Sequence, residues 1–156
     1  MKYLLIAFVV FLALAPLSNF VPSKRQRLVA KLREYAAVNG LFVEFRPPPG
    51  QSAEGGYVPG RGGLIYYGRR IPPGKGAPVG RGAWVREEEG WRSRERPAPV
   101  PPPLAELPPG IDLATLDEGS CGVFWNEEGD VETVEIIRQV LMDWTASLRP
   151  GSGSFS

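Results

Sequence analysis

"CGVFWNEEGDVETVEIIRQVLMDW", residues 121–144, passes from one periodicity to another within a few positions. Cys121 to Trp125 form a short apolar run with Val, Phe and Trp, which reads as a strand. Asn126 to Asp130 reads as a turn, with Asp130 placed to cap a helix and Glu132 and Glu135 near that helix's positive end. Beyond it Val131, Val134, Ile137, Leu141, Trp144 and Leu148 recur at helical spacing, with Val140 alongside. A strand that turns into an amphipathic helix, at the end of a chain of short strand-like segments, predicts an α+β domain. Its small, mostly antiparallel sheet is covered by the C-terminal helix.

The segments upstream supply that sheet. "GIDLATLD", residues 110–117, reads as a strand, and "PAPVPPP", residues 97–103, as a stiff polyproline spacer. "AWVREEEGWRSRER", residues 83–96, has two β-like runs around Glu88-Glu89-Gly90 and predicts a hairpin with a tight glycine-containing turn. "LIYYGRR" from Leu64 and "LFVEF", residues 41–45, add two more strands. The Pro/Gly-rich stretches at 47–63 and 72–82 read as flexible loops, and 149–156 as a disordered tail. The domain so defined covers 41–148.

Ahead of it, residues 22–40 predict a basic amphipathic helix between the Pro22-Ser23 break and the Asn39-Gly40 stop. Leu28, Leu32 and Tyr35 form one stripe, with Val29 and Ala36 beside it. From Tyr3 to Leu17 the chain is apolar, and after Ser18 and Asn19 the run resumes with Phe20 and Val21, giving 19 positions. At 1.5 Å per residue that is about 28 Å of helix, close to the ~30 Å of a bilayer core. Residues 1–21 are therefore expected to be a transmembrane signal anchor. The competing reading is a cleaved signal peptide with Ala13-Leu14-Ala15 as its processing motif, which would put Pro16 first in the mature chain. The flank of Lys24, Arg25, Arg27, Lys31 and Arg33 favours the anchor, and by the positive-inside bias it places the C-terminal domain in the cytoplasm.

Composition restricts the chemistry. The chain has 156 residues, no His and one Cys, Cys121, so no intrachain disulfide can form and imidazole acid/base or zinc chemistry is excluded. The glycine loops fail as cofactor cradles. Between Gly68 and Gly74-Lys75 the phosphate-loop spacing is wrong, Gly76 stands where a hydroxyl is needed, and Pro72 and Pro73 lack amide protons. "FWNEEGDVETVE" follows a calcium loop at Asn126, Glu128, Gly129 and Glu135, but Phe124 occupies the first ligand position, so a turn and helix cap is the simpler reading. No catalytic, cofactor or metal residues are therefore assigned.

Charge is distributed unevenly. Residues 1–96 carry 16 Lys/Arg and 7 Asp/Glu, and residues 97–156 carry 2 and 10, so the formal charges are +9 and −8. On a strand, Arg92, Arg94 and Arg96 would share one face, and they are expected to meet the acidic C-terminal section. The alternatives are that they face an anionic lipid surface, a protein partner or, more weakly, single-stranded nucleic acid stacked on Trp84, Tyr66 and Tyr67.

A single span followed by "PSKRQRLVAKLREYAAVNGLFVEF", "LIYYGRR", a Trp-containing hairpin and "GVFWNEEGDVE" resembles small uncharacterised single-pass bacterial inner-membrane proteins. The first 35 residues also look like the accessory membrane subunit of the preprotein translocase, a likeness that assigns no functional residue. The function expected is a membrane-anchored interaction or scaffold protein without catalytic activity, with an anionic-lipid or nucleic-acid module as the alternative. Its partners would be the membrane and an unidentified protein, with no small-molecule substrate evident. Lys24, Arg25, Arg27, Lys31, Arg33, Arg92, Arg94 and Arg96 are the expected contact residues.

Overall fold

The computed structural model describes residues 1–18, 23–49, 63–72 and 80–148. They fall into two compact units divided between Ala30 and Lys31. The expected Pro/Gly loops lie largely outside the described residues, and the expected tail entirely so.

In the first unit, helix α1 spans Lys2–Ser18, 17 residues. At 1.5 Å per residue this is about 25 Å, short of the ~30 Å that a hydrocarbon core requires. Among the described residues no helix is long and apolar enough to cross a membrane. This overturns the expected transmembrane anchor, and with it the single-pass inner-membrane placement. The expected span had counted through Ser18 and Asn19 to Val21, whereas the helix ends at Ser18 and residues 19–22 lie outside the described set.

Helix α2, Lys24–Val38, crosses the boundary between the units. It begins on a capping box: Gln26 N–H donates to Ser23 Oγ at 3.2 Å and Ser23 N–H donates to Gln26 Oε1 at 3.0 Å. At its end Gly40 takes φ 81°, and Leu41 N–H reaches back to the Ala36 carbonyl at 2.9 Å. Only glycine adopts that left-handed backbone at little cost, which is why the helix stops there.

The second unit is built on a six-stranded antiparallel sheet in the order β1-β2-β6-β5-β3-β4. Its strands are β1 Phe42–Glu44, β2 Ile65–Arg70, β3 Gly82–Glu87, β4 Gly90–Ser93, β5 Leu113–Leu116 and β6 Ser120–Trp125. The β5–β6 hairpin fills the gap between β2 and the β3–β4 hairpin. Register places Ile65, Tyr67, Val123, Trp125, Ala114 and Trp84 on one face. Helix α3, Val131–Ser147, covers that face, burying Val134, Ile137, Val140, Leu141 and Trp144. Trp144 meets Trp84 edge-on at 5.6 Å. Asp130 caps α3 through Thr133, whose hydroxyl replaces the usual Glu or Gln of a capping box. The α+β architecture with a helix-covered sheet is thus the one the sequence predicts.

The polyproline spacer changes character partway. Pro101 has φ −59° and ψ 124°, but Pro102–Glu106 forms a 3₁₀ turn that packs on α3 and buries Leu104. Arg86 holds the next residues, donating to the Leu107 carbonyl at 2.7 Å and to that of Pro108 at 3.1 Å.

Candidate interaction surface

Strand β4 and the residues that follow it form an open hollow of about 670 Å³, running from Trp91 to Val100. Arg92, Arg94 and Arg96 all line it and all are exposed. They do not form the regular stripe expected of a strand, because β4 ends at Ser93 and the Ser93 hydroxyl donates to the Arg96 carbonyl, bending the backbone. Arg92 pairs at 3.3 Å with Glu87 of its own hairpin. Arg94 donates to the Pro49 carbonyl. The expected pairing of these arginines with the acidic section is therefore not how the two halves are joined. Arg33–Glu127, Arg46–Asp117 and Arg81–Glu118 make those links instead.

Of the N-terminal cations, Lys24, Arg25 and Arg27 belong to the first unit and are exposed, and Lys31 is exposed in the second. Arg33 differs. Its Nε and Nη2 donate to the two Glu127 oxygens at 2.8 and 2.9 Å, and its guanidinium lies 5.0 Å above the Phe45 ring. Its hydrogen bonds to Glu127 raise its pKa above the ordinary arginine value, outweighing the opposing effect of burial. Arg33 is thus a fixed internal tie for the second half of α2.

Glu127, which in the sequence reads as a turn residue, is instead a buried one. It is 2% exposed, takes φ 58°, and also accepts from the Tyr67 hydroxyl at 2.7 Å. Cys121, Val123 and Trp125 alternate onto the helix-covered face, and Glu127 is the next residue in that phase. A carboxylate there requires a buried cation, a signal masked by the resemblance of "NEEGD" to an ordinary turn. Burial, reinforced by the bond to Glu127, pushes the Tyr67 phenol well above its usual value.

A second network lies on the opposite face. Gly68 and Gly122 are register partners, and the Tyr66 ring lies flat over both; a Cβ on Gly122 would sit 2.4 Å from Tyr66 Cζ. The Tyr66 hydroxyl lies 3.1 Å from Ser120 Oγ, Ser120 bonds Asp117, and the Arg46 guanidinium covers the ring at 4.0 Å. Burial holds the Tyr66 phenol up at about 12. Burial also raises the Asp117 carboxyl, but the amides of Gly119 and Ser120 outweigh it and leave that group below its ordinary value.

The aromatics that were to stack nucleic acid are occupied. Tyr66 and Tyr67 are fully buried, Trp84 is packed on Trp144, and Arg86 lies 4.9 Å over Trp91. Cys121 is buried and its thiol is pushed up to about 12 by desolvation, which keeps it in the unreactive protonated form. Among the described residues no group of three or more His, Cys, Asp or Glu side chains is placed to hold a metal ion. No family model, curated protein or solved structure matches the chain.

Proposed function

We propose that this chain is a protein-interaction module that holds an acidic segment of a partner protein in the hollow formed by β4 and residues 94–100. The carrying observation is that Arg92, Arg94 and Arg96, against the single carboxylate of Glu95, line one open concavity, while Arg33, Arg46 and Arg81 are the cations that pair with Glu127, Asp117 and Glu118 of the acidic section. Guanidinium groups on an exposed rim attract and orient carboxylates, adding more to encounter rate and specificity than to raw affinity.

The test is fluorescence anisotropy of a labelled glutamate-rich peptide titrated with the full chain. Anionic vesicles and a labelled single-stranded oligonucleotide serve as competitors. Binding should weaken as salt rises and be lost in Arg92→Glu/Arg96→Glu. Preferential binding of the oligonucleotide or the vesicles would replace this reading with one of those classes, and indifference to the double substitution would remove the hollow from it.

A further inference from the structure

The sheet face away from α3 joins the basic hollow to an apolar groove. Register pairs Arg92 with Val85, Val85 with Leu113, Leu113 with Phe124, and Phe124 with Tyr66, so these five side chains form one row across five strands on the same face. Leu113, Phe124 and Tyr66 are buried together, with Phe42, Leu64 and Val85 partly exposed against them. A groove of about 310 Å³ opens over Val85, Leu113 and Phe124, flanked by Leu64 and Pro49. Arg94 lines both this groove and the basic hollow, which makes them one continuous surface. The groove is at the small end of ligand sites and suits one large side chain. Asp112 also lines it, which disfavours a carboxylate on the anchoring residue's own position and favours one displaced toward the arginines.

Building on the interaction role above, we infer that the partner segment is extended and carries an apolar anchor the size of Leu or Phe, seated over Val85, Leu113 and Phe124, with an acidic residue two or four positions away on Arg92 or Arg94. The spacing follows from the sheet. Two strand steps separate Arg92 from Leu113, about 10 Å, an extended chain advances about 3.3 Å per residue, and side chains that face the same surface fall at even separations, so the acid lies two or four positions from the anchor.

Anisotropy with the full chain tests this using three labelled peptides: a glutamate-rich one with a single central Leu, the same with that Leu replaced by Ser, and the Leu peptide with Gln in place of Glu. The Leu peptide should bind about tenfold more tightly than the Ser peptide, the scale expected for burying one such side chain. Val85→Thr, which keeps the strand preference and is checked for fold by thermal melting, should reduce that advantage several-fold without altering the Ser peptide. The Gln peptide should bind weakly. If the Leu and Ser peptides bind alike and both are lost in Arg92→Glu, the acidic-segment reading stands and the anchor is wrong. If neither acidic peptide binds, the interaction reading itself fails. A Leu advantage untouched by Val85→Thr would place the anchor elsewhere and overturn the inference.

Discussion

At the scale of single residues, the buried ion pair and the glycine slot are the places where one atom decides stability. Glu127 sits in a left-handed backbone, nearly inaccessible, with Arg33 bound through both oxygens. Glu127→Gln keeps the shape but leaves the Arg33 charge uncompensated. Because the Arg33 side chain is 34% exposed, the cost should fall below the 3–5 kcal/mol of a fully buried pair, at about 2 kcal/mol by urea denaturation. Arg33→Met combined with Glu127→Gln should lose less than the two single changes together, since the stranded charge is gone; strict additivity would show that the pair is not coupled. Gly122→Ala drives a methyl into the Tyr66 ring and should cost about 1–3 kcal/mol. A melting temperature equal to that of the parent would mean the ring does not lie where it is described.

At the scale of elements, the hairpin of β3 and β4 is expected to tolerate charge reversal. Arg92 and Glu87 are an exposed pair, with 74% and 50% of their side chains accessible, and such pairs contribute about 0–1 kcal/mol. Replacing Arg92 and Arg96 by Glu should therefore leave thermal melting nearly unchanged, and a large drop would restore the discarded idea that the stripe holds the acidic section. The sequence made most of these elements legible because each rests on local signals. Glu88-Glu89-Gly90 marks the hairpin, Asp130 the start of α3, and Asn39-Gly40 the end of α2. What it did not reveal depends on contacts distant in sequence. Nothing local tells that Arg33 meets Glu127, that Gly68 and Gly122 face each other beneath Tyr66, or that Ser93 bends the arginines off the strand. The span differs for another reason: the apolar pattern of the sequence runs on to Val21, whereas α1 is Lys2–Ser18.

At the scale of the whole molecule, a chain without histidine should have a flat stability plateau between acid and alkaline limits. On the acid side, hydrogen bonds from Arg138 and then Tyr35 hold Glu135 down at about 2, against an ordinary 4.5. Its contribution is present above the ordinary value and is lost as pH falls toward about 2. Glu135→Gln should flatten that limb in pH-dependent urea unfolding, and an unchanged limb would assign it to other carboxyls. On the alkaline side, burial keeps Tyr66 and Cys121 protonated up to about 12, so stability is full below their ordinary values of 10 and 9 and declines as pH rises toward 12. The acid limit is set between the two helices α2 and α3 and the alkaline limit within the sheet, whose two faces divide the labour: one is sealed by α3, and the other carries the arginines and the apolar groove. The most direct test of that division is a nitrogen-15 amide chemical-shift map of the full chain as a Leu-containing glutamate-rich peptide is added. Shifts confined to Val85, Arg92 to Arg96 and Leu113, with the amides of α3 unmoved, are the predicted result; shifts centred on α3, or none at saturating peptide, would contradict it.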